Sequence, residues 1–210
     1  GQRKWFKKGM EMPVEHKVMK KQLRSNLIKK RNALTPRQAA EKSALITGRL
    51  LALDEYRSAR SIMVYLDCRN EARTADLVTR ALADGKSVAA PVTDQAKRLL
   101  TPSLIVNFPA DLQPGAWGIP EPRPQAVRPL DPAALDMVIT PGVAFDIAGY
   151  RIGYGYGFYD RFLRRTGEGT IYIGLAYDFQ VLPDVFPEAH DMPVHIILTE
   201  KRLIRLHQAG

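Results

Sequence analysis

The sequence predicts an α/β protein, a single domain built on an open, mostly parallel sheet flanked by helices. Three observations carry that expectation. Short β-rich runs alternate with helical patterns in the order strand, helix, strand of a parallel crossover unit. A glycine-rich turn opens a helix between two further strands. The chain has 210 residues, 45% of them hydrophobic, enough for one sizeable core and too few for two comfortable domains.

Each element can be justified in turn. Residues 1–17 read as a basic, flexible tail ahead of the domain, which spans 18–210. From Val18, "VMKKQLRSNLIKKRNAL" puts Leu23, Leu27 and either Ile28 or Leu34 on one helical stripe, with cations elsewhere on the circumference. Thr35 to Gln38, "TPRQ", is a capping box with proline at the first helical position and predicts a second helix from Pro36 to about Leu53. "SIMVYL", Ser61 to Leu66, is a strand. Thr74 caps a helix that stops near Gly85, and "SVAAPV", Ser87 to Val92, is the next strand. Residues 101–134 hold eight prolines and predict a long ordered loop or wrap. "LDMVITPGVAFD" then gives a buried strand ending at a Pro-Gly turn, and "TIYIGLAY" and "VHIILTE" give two more.

The net charge of +9 suggests a nucleic-acid partner until its distribution is read. Residues 1–31 hold 11 Lys and Arg against 2 acids, so the rest of the chain carries 20 of each and is neutral. A solvated tail leading into a charged helix is the plain reading, with an anion site next and a nucleic-acid arm last. No apolar run approaches the roughly 20 residues that cross a bilayer, and no apolar segment follows the N-terminal charges, so no membrane and a cytoplasmic location are expected. The single Cys68 ends an apolar run and reads as a packed thiol.

In "RIGYGYGFYDRFL", Arg151 to Leu163, glycine occupies positions 153, 155 and 157. Glycine is used where backbone must adopt positive φ or approach another group closely. Three of them before a helix starting near Phe158 would let N–H groups converge on an anion, phosphate above all. The spacing matches neither the P-loop nor the dinucleotide fingerprint, and a plain tight turn remains the alternative. Arg151 precedes the run. Asp160 follows on the first helical turn, as a helix-start acid or as a holder of Mg²⁺ against phosphates. Lys20 and Arg24 lie four apart on one helix face, like a phosphate-gripping pair or like two cations of a basic helix.

The stretch is similar to the Arg-hydrophobic-Gly-x-Gly-x-Gly-aromatic-Tyr-Asp signature of the 5-formyltetrahydrofolate cyclo-ligases. Further landmarks fall in the family's order: "KKQLR", "YLDCRNEART", "WGIPEP", "MVITPGVAFD" and "EAHDMPV". The resemblance covers about residues 18–205. It implies the three-layer architecture of the NagB/RpiA/CoA transferase-like folds. It also implies ring closure of 5-formyltetrahydrofolate to 5,10-methenyltetrahydrofolate with ATP as co-substrate and Mg²⁺ as cofactor, by a monomer without macromolecular partners. Phosphorylating the formyl oxygen makes a poor leaving group a good one, and such transfer is catalysed by positioning and charge neutralisation.

Carried over position by position, the resemblance gives Lys20, Arg24, Arg151 and the loop Gly153, Tyr154, Gly155, Tyr156, Gly157, Phe158 and Tyr159 to ATP. It gives Asp160 and Asp191 to Mg²⁺, and Arg151 and Tyr159 to catalysis. It gives Leu66, Glu71 and Trp117, with Tyr154, Tyr156 and Phe158, to the folate. Each has a plainer reading: Asp191 as a turn acid, Glu71 as an exposed loop residue, Trp117 as a core anchor, Tyr159 as packing at a helix start. The sequence departs from the family at Tyr156, where glycine or a small or basic residue is usual, and at Phe158, Val92 and His195. A folate- or nucleotide-binding paralogue with altered activity is therefore the second reading, and a nucleic-acid module the third. His190 and His195, with His16 and His207 remote in sequence, show no metal spacing and read as surface or packing residues.

Overall fold

A computed structural model describes residues 13–206. Helix α1 is Val14–Asn32, so the helix starts four residues earlier than expected and residues 14–17 are not tail. Residues 1–12, which hold the rest of the basic segment, and His207 lie outside the described residues. Lys29, Lys30 and Arg31 fill the last turn of α1, where cations complement the exposed carbonyls. Helix α2, Pro36–Leu51, begins with the expected capping box: Gln38 N–H donates to Thr35 Oγ1 at 3.1 Å and Thr35 N–H to Gln38 Oε1 at 2.9 Å. It ends two residues early, at Leu51, and a single turn, α3 (Asp54–Ser58), follows.

Strand β1 (Ser61–Val64), helix α4 (Ala75–Ala83) and β2 (Ser87–Asp94) form the expected crossover, and β1 and β2 pair in parallel. Thr74 occupies the position before α4 but does not cap it. Its hydroxyl donates to Tyr65 O at 2.7 Å, tying the helix start to the end of β1. The expected loop over 101–134 is corrected at its beginning, where β3 (Leu99–Ile105) pairs antiparallel with β2 and sets Pro102 opposite Pro91. Proline is tolerated there because β3 is an edge strand whose missing N–H is not needed by a further neighbour. Beyond it, β4 (Leu112–Pro114) and β5 (Pro120–Pro122) make a short hairpin, and the rest is turns and single helical turns.

Strand β6 (Met137–Thr140) ends at Pro141-Gly142, after which β7 (Ala144–Asp146) and β8 (Arg151–Ile152) turn away into a second sheet. Helix α5 (Phe158–Leu163), β9 (Ile171–Leu175), β10 (Val181–Leu182), β11 (Ile196–Leu198) and β12 (Leu203–Arg205) complete the chain. The main sheet has the order β12-β11-β9-β6-β1-β2-β3, parallel from β11 to β2 and antiparallel at both edges. The small sheet has the order β10-β7-β8.

Strand alternation divides the core. Ile62, Val64, Met137, Ile139 and Ile173 face α2 and α4 through Ile46, Leu50, Leu77 and Val78. Met63, Val138 and Ile197 face the other way, onto Phe145 of the small sheet and Phe162 and Leu163 of α5. Three layers result. Gly174 in β9 is required by this packing: a Cβ there would lie 2.5 Å from the Phe145 ring. Helix α1 packs Leu27, with Leu23 and Ile28 beside it, against Val143, Ala144 and Ile152, which lays its cationic face along the glycine turn. No helix among the described residues is long and apolar enough to cross a membrane.

Candidate active site

A cleft of about 320 Å³ opens at the carboxyl ends of β1 and β6, the side of a parallel sheet where strand ends and crossover loops leave room for ligands. Residues 65–71 leave β1, Pro141 and Gly142 leave β6, and the glycine loop leaves β8 to border it, while α1 crosses with Lys20 and Arg24. Every residue the sequence assigned to ATP, Mg²⁺ or folate lines this one cleft.

The glycine loop is built to leave its amides free. Gly155 (φ +96°) and Gly157 (φ +68°) take the left-handed conformation that side chains disfavour, whereas Gly153 does not. A Cβ on Gly153 would come within 3.3 Å of Arg151 Nη1, so there glycine serves close approach. Guanidiniums take the carbonyls: Arg24 Nε donates to Gly153 O at 2.8 Å and Arg161 Nη2 to Tyr156 O at 2.7 Å. Among the described residues, no backbone N–H from Gly153 to Asp160 donates to a protein group. Helix α5 has only six residues, so the positive character of this corner comes from Lys20, Arg24 and Arg151 more than from a helix dipole.

Acids and cations interleave beside the loop. Arg151 Nη2 is 3.5 Å from Asp160 Oδ1, which also accepts from Met192 N–H at 3.2 Å. Lys20 Nζ stands 3.9 Å from both Glu188 Oε1 and Asp191 Oδ2. His190 bridges the same two acids at 3.4 Å each, so it is a surface residue as expected but one bordering the cleft. Burial raises the Asp191 carboxyl above its usual range, the Glu188 N–H bond opposes this, and the charge of Asp160 adds to the rise. Two carboxylates that repel across a cleft lined with anion donors fit a small divalent cation, which takes one or two carboxylates and leaves its other positions to phosphate oxygens and water. The Arg151 guanidinium lies 5.2 Å from the Tyr159 ring centre, and both Arg151 Nε and the Tyr159 hydroxyl are buried without a partner among the described residues. Burial raises the Tyr159 hydroxyl well above its ordinary value, so it stays protonated and able to donate a hydrogen bond.

The other part of the cleft is drier. Glu71 is only 6% exposed, which overturns the plain reading of an exposed loop acid. Burial pushes its pKa up, opposed by the Cys68 N–H at 2.9 Å and by the charge of Arg31. The Cys68 thiol lies 3.2 Å from the same carboxylate and is pushed up to about 12, chiefly by burial, which leaves it unreactive. Leu66 is buried alongside. Trp117 is no core anchor: it is 45% exposed and stacks on Tyr156 at 5.1 Å, with Phe158 at 6.3 Å from Tyr156. His195 is packing, its ring 4.8 Å from Tyr172 and its Nδ1 accepting from Tyr172 N–H.

Sequence reasoning passed over Glu188 and Arg69 in the lining, and Arg31 behind it. For Arg31 a signal existed, since it continues the face of Lys20, Arg24 and Leu27 along α1.

Comparison with known proteins identifies the family. The sequence model of the 5-formyltetrahydrofolate cyclo-ligase family matches residues 16–200. A 5-formyltetrahydrofolate cyclo-ligase of Haemophilus influenzae is 32% identical over 182 residues, 85% of this chain and 96% of that protein. The mouse protein of the same name is 28% identical over 189 residues, covering 86% and 93%. The solved structure of Aquifex aeolicus 5,10-methenyltetrahydrofolate synthetase superposes with a TM-score of 0.80 at 31% identity, over 91% of this chain and 95% of that one.

Proposed function

This chain belongs to the 5-formyltetrahydrofolate cyclo-ligase family, and from that premise we propose that it closes 5-formyltetrahydrofolate to 5,10-methenyltetrahydrofolate, consuming ATP with Mg²⁺. The observation that carries the reading is one cleft holding two unlike parts. A loop of unpaired amides faces three cations, and a buried carboxylate stands behind an aromatic mouth.

Lys20, Arg24, Arg151 and the amides from Gly153 to Tyr159 hold the triphosphate, because cations and preorganised N–H groups match charge spread over phosphate oxygens. Asp160 and Asp191 are the residues that would hold Mg²⁺, which when bound supplies neutralisation of phosphate charge. Glu71 accepts two hydrogen bonds from the donor edge of the pterin, and Leu66, Trp117, Tyr154, Tyr156 and Phe158 enclose its rings. The formyl oxygen attacks the γ-phosphorus and the bond to ADP breaks. The N10 lone pair then adds to the formyl carbon, the carbon–oxygen electrons leave with phosphate, and the N10 proton is lost to solvent. Arg151 neutralises charge during transfer, and the Tyr159 hydroxyl, buried and protonated, donates to the reacting oxygens.

The decisive assay mixes protein, 5-formyltetrahydrofolate, ATP and Mg²⁺ and follows the methenyl chromophore, which should appear only when all are present. Absence of the chromophore rejects the proposal. The second reading, a paralogue that binds without turnover, draws on the Tyr156 ring stacked at the mouth. It expects folate or nucleotide binding in calorimetry and no chromophore.

A further inference from the structure

Arg31 does not line the cleft, yet it is the largest fully buried side chain of the molecule's described residues, 1% exposed. A guanidinium is rarely taken so far from water unless its hydrogen bonds hold something in place. Its Nε donates to Arg69 O at 3.0 Å and its Nη2 to the Tyr154 hydroxyl, while Nη1 is buried with no partner among the described residues. Its own carbonyl accepts from Asn70 Nδ2 at 2.7 Å, and the same amide reaches Leu34 O at 3.2 Å.

These contacts meet at a strained turn. Arg69 (φ +50°) and Asn70 (φ +61°) are consecutive non-glycine residues in the left-handed region, closed by Glu71 N–H donating to Cys68 O at 3.0 Å. Such a turn persists only where its surroundings fix it, and Arg31 and the carbonyls around it fix both residues. The turn delivers Glu71. On its other side Arg31 grips Tyr154, whose ring also lies under the Arg69 guanidinium at 4.8 Å. One side chain on α1 thus touches the turn that aims the buried acid and the loop whose amides face the nucleotide.

We propose that Arg31 is a positioning residue that orients Glu71 for the folate and joins that acid to the glycine loop through Tyr154. This deepens the function proposed above and rests on its assignment of Glu71 to the folate. The groups facing Glu71 are Cys68, Asp67 and Arg69 on its own loop, Arg31 on α1, Tyr65 after β1, Tyr154 and Tyr159 around the glycine loop, and Tyr177 after β9, whose hydroxyl donates to Glu71 O. Of the two cations among them, Arg31 is the one whose charge opposes the protonation favoured by burial.

The test compares Arg31→Met and Arg31→Lys with the wild type in methenyl formation across pH and in calorimetric titration with 5-formyltetrahydrofolate. Arg31→Met should weaken folate binding about tenfold or more and change the KM for ATP much less. Because loss of the cation raises the Glu71 pKa, the acid limb of kcat/KM for folate should move to higher pH. Arg31→Lys keeps the charge without the forked geometry, so its limb should stay near that of the wild type while its folate KM rises. Should Arg31→Met not fold, the Arg31→Lys folate KM decides. Variants with wild-type folate affinity and an unmoved acid limb overturn the proposal. So does equal weakening of both substrates without a pH shift, which is what a purely structural arginine produces. A wild type that neither binds folate nor forms the chromophore overturns the functional reading itself, and a wild type that turns over while both variants match it overturns only the role of Arg31.

Discussion

Asp160 and Asp191 sit where each acid has a cation within 4 Å, Arg151 for one and Lys20 for the other. Glu71, across the same cleft, has no ion pair among the described residues and is held by a backbone N–H, a thiol and the more distant charge of Arg31. The first corner is tuned by charge and keeps room for ions and water. The second is tuned by removing water, which strengthens any hydrogen bond a ligand offers and makes an unpaired carboxylate costly. A reaction that brings a highly charged triphosphate against a flat, partly apolar heterocycle needs both kinds of corner. The glycine loop borders each.

If the corners are as unlike as this, substitutions in them should fail differently. Asp160→Ala should lower kcat on the order of 100-fold or more while leaving folate affinity near that of the wild type, because it disturbs the positioning of charge during transfer. Steady-state kinetics over a range of Mg²⁺ concentration checks it, and near-normal kcat would remove Asp160 from its assigned place. Glu71→Ala should do the reverse. Losing two hydrogen bonds to a buried charged acceptor costs about 3 kcal/mol, roughly a 100-fold rise in KM for folate, with the KM for ATP little changed.

Stability sharpens the contrast further. The Glu71 pKa is raised in the folded state, so its protonated form is the one that favours folding, and that contribution is lost as pH rises through the folded pKa. Wherever it is ionised, the buried carboxylate therefore strains the ligand-free protein. Glu71→Gln should melt higher than the wild type at pH 7.5, and the gain should shrink as pH falls and wild-type Glu71 takes up its proton. Melting curves at pH 7.5 and 4.5 test this, and a variant less stable at pH 7.5 would place Glu71 among ordinary solvated acids. The same variant should bind folate more weakly, the exchange of stability for function expected of a dry acidic site.

How much of this was legible follows from what kind of physics set each feature. The parallel strands were readable because β1, β6, β9 and β11 are short apolar runs covered on both faces. The capping box of α2 and the glycine turn before α5 were readable because local chemistry specifies them. The start of residues 101–134 was misread as loop because that stretch is rich in proline, and only the edge position of β3, a tertiary fact, excuses its Pro102. Glu71 illustrates the same limit. "RNEART" is polar but for Ala72 and reads as solvated, yet α1 and the glycine loop close over Glu71, and nothing within the segment announces that. Arg31 looked like one more cation of a basic helix, since burial of a guanidinium depends on partners 38 and 123 residues away.

The smallest expected effect lies at the mouth that both corners share. Tyr156 is 53% exposed and Trp117 45%, so their stack is solvated on one side, and such aromatic pairs contribute about 0.5–1.5 kcal/mol beyond buried area. Gly155 and Gly157 provide the loop's left-handed turns whatever stands between them, and Arg161 holds the loop through the carbonyl of Tyr156, not through its ring. Tyr156→Gly should therefore leave the amides in place and the KM for ATP nearly unchanged. It should raise the KM for folate by between about 2-fold and 10-fold, the range those stacking energies convert to. A larger effect on ATP than on folate would mean that the ring covers the nucleotide, and the division of the cleft into a charged corner and a dry one would have to be redrawn with Tyr156 on the charged side.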